Sequence, residues 1–496
     1  MSTTAPETGK VSLTTWLVLT VAAIGFLFDT YELLMTPLVL APALSDLLNL
    51  PANHPEVTAW VGRVLWMTAL CGGVFGLLGG YLIDQFGRKT VMVASIFLYS
   101  FSPVMAGLST DLGWLIFFRC TTFVGVCVEF VAAVTWLAEL FPDKKMKELA
   151  LGWTQAFASV GGLLVTAVSA GVGYMAVNKM LPAIPGIENP GNWRYTLMTG
   201  LFPAIPIALL LPFVPESPVW RERKRSGSFK RPNFSELFSP ALIRTTLVAT
   251  LLSACAYAAA FGTLQVTVTQ AVPGLKIERL EEPRKALGAL TKEGKQIEAK
   301  MKAEGTSEED KGKLNSEFIA LLKKQGKINK ESVQPVREEV QFLQELGGLL
   351  GRVLLALALM VIVSRRLILW LFQVPGLIAI PFVWFWVYQQ QPEWFAYGVF
   401  IAGVMTVAQF SYFGEYLPKV YPVHLRGTGG AFATNVGGRM IGTSAAFLTT
   451  NLIAPYVPGA NLFEKVAFAA GITGTAVFAI GLMGSFFLPE PPREEH

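Results

Sequence analysis

Two carboxylates stand three residues apart in the segment Phe28-Asp29-Thr30-Tyr31-Glu32, inside a long apolar run. On a helix that spacing places Asp29 and Glu32 on one face. A third acid, Glu129, follows Arg119 by ten positions in another apolar run. Two more arginines, Arg352 and Arg439, occupy apolar stretches expected to contain no neutralising acid, with Glu415 as the nearest candidate partner. Ionisable side chains at such positions are costly and face a cavity, a partner or an ion path. A carboxyl taken out of water holds its proton more firmly, which suits it to load and release protons. A guanidinium grips a carboxylate through two parallel hydrogen bonds. The first half of the chain therefore offers proton handling by Asp29, Glu32, Glu129 and Arg119; the second half offers an anion site at Arg352 and Arg439. Tyr31, Tyr257, Gln265, Gln409, Tyr412 and Asn435 are the aromatic and amide groups placed to complete a pocket. The competing expectation is a static network of buried salt bridges. His54, His424 and His496 all fall in loops or tails, so no histidine competes for the proton role.

The elements that must hold these groups follow from composition. Of 496 residues 52% are hydrophobic and 15% charged, against about 25% charged in an ordinary soluble domain, and the mean hydropathy is +0.48. Twelve segments reach the roughly 20 apolar residues needed to cross a bilayer: 13–40, 59–83, 90–110, 113–140, 149–176, 194–214, 244–269, 341–364, 367–388, 394–417, 427–453 and 463–488. The fold class expected is an all-α membrane protein. Met1 to Lys10 is polar and the first apolar run is long, so no cleavable signal is expected. With both termini in the cytoplasm, 18 Lys and Arg fall on the inner side and three, Lys179, Arg194 and Lys465, in short outer loops. That bias fixes orientation and predicts a plasma (inner) membrane protein. Arg352 lies 13 positions before the inner-surface Arg365, and Arg439 lies 13 after Arg426. Each is thus about 20 Å from that surface, within a hydrocarbon core about 30 Å thick.

Charge is concentrated in one island. Residues 276–345 hold 29 of the 75 charged side chains, and apolar residues at spacings of three and four predict two or three short amphipathic helices. The last of them is expected to run straight into the eighth span. The island falls on the outer side, where long loops translocate regardless of charge, and reads as a solvated spacer or cap. Cys71, Cys120, Cys127 and Cys255 sit in apolar runs as small fillers without zinc or redox spacing. No metal cluster, nucleophile elbow or nucleotide-binding loop is visible, which argues against an enzyme, a cofactor or ATP-driven work.

The halves echo each other. Glu139-Leu-Phe-Pro142 is matched to Lys419-Val-Tyr-Pro422 at an offset of 280, and the turn at Arg88 precedes Arg365 by 277. With the island removed, two halves of six spans remain, as in transporters built from repeated bundles. The domains expected are 1–214, a linker at 215–243, and 244–496 interrupted by 276–345.

After the second span stands Gly80-Tyr-Leu-Ile-Asp84-Gln-Phe-Gly87-Arg88-Lys89, which resembles the signature loop of the major facilitator superfamily. It departs from that pattern at Gln85 and Val91. Arg119 with Gly125, Trp193-Arg194, Pro215-Glu216-Ser217-Pro218 and Arg426-Gly427-Thr428-Gly429 agree with the family as well, whereas Met146 stands where a basic residue is usual. The resemblance implies two six-helix bundles and gating roles for Asp84, Gly87, Arg88 and Arg426. Helix 5 lacks the Gly-Pro element of drug/proton antiporters. The Phe28–Glu32 segment looks like an element of proton-coupled aromatic-acid, sialate and phosphate porters, and Gly438-Arg439-Met440 resembles an organic-anion element. The expected function is proton-coupled symport of a small organic anion by a monomer in the lipid bilayer, with no nucleic-acid partner. The alternatives are a sugar or organic-cation carrier of the same fold, and a non-transporting receptor that uses the outer island.

Overall fold

The computed structural model describes residues 13–52, 54–140, 144–188, 190–202, 204–210, 213–226, 234–302, 308–422 and 425–490. Among these the chain is helical, with no β-strand. The first half runs through α1 (Leu13–Leu48), α2 (Pro55–Phe86), α3 (Arg88–Gly107), α4 (Leu112–Leu140), α5 (Lys144–Val177), α6 (Asn192–Met198), α7 (Ala204–Leu210) and α8 (Pro218–Ser226). Then α9 (Ile243–Ala258) continues through π-helical turns at Ala259–Gln265 and Thr267–Ala271. Next come α10 (Glu278–Lys302), α11 (Glu308–Ile328), α12 (Gln334–Val361), α13 (Arg365–Pro381), α14 (Tyr388–Gln390) and α15 (Phe395–Val420). Finally α16 (Arg426–Ala431) leads through a π-helical stretch, Phe432–Gly442, to α17 (Ala445–Phe447), and α18 (Leu462–Ser485) closes the chain.

Ten of these helical segments are long and apolar enough to cross a membrane among the described residues: α1 to α5, α9 with its π turns, α12, α13 with α14, α15 and α18. The expected sixth and eleventh spans are also helical but in shorter pieces. The eleventh carries Gly427, Gly429, Gly430, Gly437, Gly438 and Gly442, residues that weaken a regular helix, and its backbone takes π turns over eleven residues.

In the first half α3 packs on α4, α2 on α4, and α1 on α5; in the second α12 packs on α15, α9 on Phe432–Gly442, and α13 on α18. The α12–α15 contact is backbone to backbone. A Cβ on Gly347 would lie 2.1 Å from the Phe400 carbonyl oxygen, and one on Gly351 would lie 2.4 Å from that of Val404. Small residues allow this approach where lipid supplies no hydrophobic drive between helices. One apolar core, from Val18 to Val214, belongs to the first half, and another, from Leu237 to Leu488, to the second. The largest joins both, bringing Met35, Val61 and Trp193 together with Leu264, Trp384 and Phe395. Between the halves α5 meets α12 and α2 meets Phe432–Gly442.

The charged stretch folds as a helix pair. Ile297 on α10 and Phe318 and Leu321 on α11 form a small core of their own. Its base is buried in the main core through Ile277, Leu280, Val333 and Val336, and Lys276 pairs with Glu464 at 3.1 Å. Away from the base, Met301, Asn315 and Phe318 share a cleft of about 450 Å³ with Asn49, His54 and Glu56 from the α1–α2 connection. This end of the molecule is called the hairpin end below, and the opposite one the Arg88 end.

Candidate functional site

At the Arg88 end the chain builds the same device twice. Gly87 takes φ +100°, a region open to glycine, and a Cβ there would meet Glu216 Oε2 at 2.3 Å. The reversal starts α3 with its amides facing Glu216: Arg88 N and Lys89 N donate to Oε1 at 2.9 and 3.1 Å. A carboxylate at a helix N-terminus satisfies amides that lack intrahelical partners. Arg88, 2% exposed, donates through Nε and Nη2 to both oxygens of Glu139 at 2.9 and 2.8 Å, and Ser217 Oγ donates to Glu139 Oε2 at 2.6 Å. In the second half Arg365 Nη2 reaches Glu415 Oε1 at 3.2 Å, and Arg365 N and Arg366 N donate to Glu490 at 3.0 and 3.1 Å. Glu139 thus corresponds to Glu415, and Glu216 to Glu490, at offsets of 276 and 274. This corrects the expected offset of 280: Glu139-Leu140-Phe141-Pro142 matches Glu415-Tyr416-Leu417-Pro418. It also removes Glu415 as a partner of Arg352 or Arg439, because it is engaged by Arg365 and Lys419. The side chains of Asp84 and Arg426 lie outside the described residues.

The mid-depth charges form a second, asymmetric set. Asp29, Glu32, Glu129, Arg119, Glu345 and Arg439 are all 5% exposed or less. Arg119 Nη1 lies 3.6 Å from Glu32 Oε2, and its Nη2 donates to Thr36 Oγ1 and to the Glu32 carbonyl. Arg439 crosses between the halves. Its Nη2 lies 3.5 Å from Asp29 Oδ2, its Nη1 donates to the Val126 carbonyl at 3.4 Å, and its guanidinium stands 5.0 Å from the Phe130 ring centre. Glu129 stands beside Asp29 without a cation bonded to it among the described residues. It packs against Gly25, where a Cβ would come within 2.3 Å of its Oε1, and neither carboxylate oxygen has a hydrogen-bond partner among the described residues. Asp29 and Arg439 are the charges that act on it.

Arg352 is not without an acid on its own helix. Glu345 falls both in the expected span 341–364 and in the charged island, and it lies on the helix that runs from Gln334 to Val361. It stands two turns before Arg352 and interacts with it electrostatically. Tyr257 interacts with both Arg439 and Arg352, and its ring meets Phe410 edge-on at 4.6 Å. A polar chain therefore runs from Asp29 through Arg439, Tyr257 and Arg352 to Glu345.

The remaining predicted pocket residues divide. Gln265 and Asn435 are buried in the π-helical turns, a feature frequent at functional sites, and Asn435 lies against Gly76 of α2 across the halves. Tyr31 turns away, its hydroxyl 2.6 Å from Thr199 Oγ1. Gln409 donates to the Met405 carbonyl and accepts from Gln373, and Tyr412 stacks on Tyr416 in the second core. No group of three or more His, Cys, Asp or Glu that could hold a metal is found among the described residues.

A helical membrane chain with a twofold-repeated charged turn and a buried ionic set between its halves defines a polytopic carrier architecture. The chain belongs to the Major Facilitator Superfamily, whose family model matches residues 14–287. It is 25% identical over 238 residues to the sialic acid transporter NanX of Escherichia coli, covering 46% of this chain and 51% of that one. It is 25% identical to the niacin transporter NiaP of Acinetobacter baylyi, covering 40% of each. It is 30% identical to the 4-hydroxybenzoate transporter PcaK of Pseudomonas aeruginosa, covering 32% of this chain and 33% of that one. The matches thus span about half or less of these relatives. The crystal structure of a D-xylose-proton symporter superposes with a TM-score of 0.61 at 16% identity, covering 97% of this chain and 99% of that one, a likeness of fold.

Proposed function

We propose that this protein is a secondary transporter that carries a small organic anion together with protons by alternating access. Its working form is a monomer of twelve spans, two bundles of six (1–214 and 244–496) joined by 215–243, with both termini in the cytoplasm of a plasma-membrane cell face. On this reading 276–345 is an extracytoplasmic insertion and the Arg88 end is cytoplasmic.

One observation carries the reading: the mid-depth set holds four carboxylates and three arginines. Arg119 pairs with Glu32 and Arg439 with Asp29, and Arg352 feels the charge of Glu345 along its own helix, which leaves Glu129 as the odd acid. A lone carboxylate buried in apolar surroundings is stable only when a proton neutralises it, so Glu129 is the natural proton carrier, exchanging with Asp29 beside it. Arg439 and Arg352 are the groups that receive the substrate carboxylate, as the acids opposite them are neutralised. The relatives whose names specify sialic acid, niacin and 4-hydroxybenzoate, all organic acids, favour an anion. Closure at the extracytoplasmic end comes from Thr58 Oγ1 donating to Gln270 Oε1 at 2.8 Å, Ser169 Oγ to Glu338 Oε1 at 2.7 Å and Gln341 Nε2 to the Leu34 carbonyl at 2.8 Å.

The test is uptake of sialate, nicotinate and 4-hydroxybenzoate into proteoliposomes under an imposed proton gradient. Accumulation of at least one, abolished by Arg439→Ala and reduced to downhill exchange by Asp29→Asn, is the expected result. Accumulation of a neutral sugar indifferent to both changes would replace the anion reading with the sugar one. Binding without transport would favour the receptor reading.

A further inference from the structure

We propose that the cavity beside the Arg88 turn is a lipid headgroup site, in which Lys89 and Arg221 hold the phosphate of an anionic phospholipid from the leaflet at that end. The site lies away from the mid-depth charges, and its occupant is independent of what the protein transports.

The repeat shows why a cavity stands there. Phe213-Val214-Pro215-Glu216 and Phe487-Leu488-Pro489-Glu490 are one motif written twice at an offset of 274. Each glutamate accepts from the two amides that open a helix, α3 in the first half and α13 in the second. In the second half the neighbouring carbonyls are taken by the chain's own side chains. Arg366 Nη2 donates to the Leu488 carbonyl at 2.8 Å, and the Tyr416 hydroxyl donates to that of Pro489 at 2.6 Å. The first half has Lys89 at the place of Arg366 and Leu140 at the place of Tyr416. Lys89 Nζ has no bonded partner among the described residues, and it lines a cavity of about 530 Å³ together with Val214, Pro215 and Glu216. Arg221 of α8 lines the same cavity. Its side chain is exposed and likewise unpaired among the described residues.

The walls determine what fits. Two unpaired cations share the cavity with one carboxylate, and Glu216 is already committed, because Arg88 N, Lys89 N and Ser217 N all donate to its Oε1. The charge left over is positive and calls for an anion. Lys224, 4.5 Å above the ring of the cavity-lining Trp220, adds a third cation close by. The remaining lining is apolar. Phe86 and Phe213 are 56% and 69% exposed; one ends α2 and the other stands at the end of the expected sixth span. Aromatic rings at span ends belong to the level where hydrocarbon gives way to water. A small anion from solution would meet the cations and leave both rings bare. A phospholipid covers the rings with its acyl chains while its phosphate meets the cations, as basic pockets between spans do with acidic headgroups. The bound phosphate then ties α8 to the turn between α2 and α3. It supplies in the first half the closing contact that Arg366 supplies in the second.

The test uses the full-length chain in nanodiscs of phosphatidylcholine, with and without phosphatidylglycerol. Wild type, the double variant Lys89→Gln with Arg221→Gln, and Arg366→Gln are compared by melting temperature and by native mass spectrometry of retained lipid. The wild type should melt higher with phosphatidylglycerol and retain it in preference to phosphatidylcholine. Two cations at an anionic surface account for about thirtyfold in affinity, so the double variant should lose both preferences. Arg366→Gln should melt lower in both lipids yet keep the difference between them, because its guanidinium is bonded within the chain. A double variant that keeps the wild-type difference would overturn the proposal, as would a wild type that melts alike in both lipids. Soluble glycerol 3-phosphate added to phosphatidylcholine discs separates the two sources of phosphate: protection equal to that of phosphatidylglycerol would overturn the lipid as occupant. Should the double variant not fold, the wild type is photolabelled with phosphatidylglycerol carrying a diazirine on its headgroup. Label concentrated on 86–90 and 213–221 supports the site, and label spread evenly over the helix ends rejects it.

Discussion

Replacing Arg439 by glutamine should shift the balance between the closed arrangement and arrangements that admit water between the halves. Arg439 is the counter-charge of Asp29 across the interface, and Asp29 Oδ1 already lacks a hydrogen-bond partner among the described residues. In Arg439→Gln, Asp29 is left 5% exposed beside Glu129, with no cation to offset either. Breaking a buried pair by removing one partner costs about 3–5 kcal/mol, a penalty paid only while the halves stay closed over the site. At about 1.4 kcal/mol per factor of ten, the population shifts by about two to three and a half powers of ten, enough to bring an equilibrium that starts near 99:1 at least to about parity. Two pairs of spin labels report it. One joins Tyr174→Cys to Tyr456→Cys at the hairpin end, where both tyrosines are exposed. The other joins Phe213→Cys to Phe487→Cys at the Arg88 end, again on exposed residues. At least one distance should lengthen in Arg439→Gln, and the double variant Asp29→Asn with Arg439→Gln should return to the wild-type distances, because no charge is then stranded. Unchanged distances in the single variant would refute the reasoning, as would a double variant as open as the single one.

Five other outcomes follow from the same geometry. Glu139→Gln takes the bidentate carboxylate from the 2%-exposed Arg88 and should destabilise the fold by about 1.5–3 kcal/mol in denaturant unfolding. Ser217→Ala, which removes one neutral donor to that carboxylate, should cost about 1 kcal/mol. Gly87→Ala combines a positive φ with a 2.3 Å contact to Glu216 and should exceed the roughly 1 kcal/mol of an ordinary glycine replacement, read as lower yield of folded protein. Gly25→Ala drives a methyl onto Glu129; proton-linked accumulation should fall far more than thermal stability. Excising 286–328 with a short linker spares Ile277, Leu280, Val333 and Val336 in the main core, so folding and anion uptake should survive, and loss of uptake with intact folding would point to a role for the hairpin in transport.

Much of the architecture was legible because lipid imposes a strong pattern. Apolar runs of helix length, basic turns on one side and a single charged island are composition signals, and they located the long helices, the Arg88 turn and the α10–α11 pair. The site was legible residue by residue but not in its pairings. Asp29 and Arg439 are 410 positions apart, and nothing local indicates that α1 and the Phe432–Gly442 stretch bring them within 3.5 Å. Glu345 falls in both the span at 341–364 and the charged island at 276–345, and counting it with the island hid it as an acid of the helix that carries Arg352. Glu129 and Arg119 share a helix and both look towards the acids of α1, but at different depths. Ten residues is about 15 Å of rise, which separates them into different layers of the set. Gln409 and Tyr412 carry the right chemistry but fall on the side of α15 that packs into the second core. A polar side chain in an apolar run does not by itself say which face it occupies.

The repeat also explains why function collects where it does. At the Arg88 end the halves agree residue for residue: Arg88 with Arg365, Glu139 with Glu415, Glu216 with Glu490, each acid in the same relation to its turn. At mid-depth the same offset of 276 or 277 breaks the agreement. Arg119 corresponds to Phe395, Glu129 to Met405, Arg352 to Phe75 and Arg439 to Leu163, none of them titratable. A network kept in both halves serves a need that both share, the tight closure of α2 to α3 and of α12 to α13. Charges present in one half only cannot be explained by that need. Arg119 meets Glu32 within the first half, whereas Arg439 meets Asp29 across the interface, so moving the halves apart changes the electrostatics of Asp29, Arg439 and Glu129 but leaves the Arg88 and Arg365 networks intact within each half. A membrane carrier must convert relative motion of its halves into a change at the binding site, and the asymmetric charges are the ones that such motion alters.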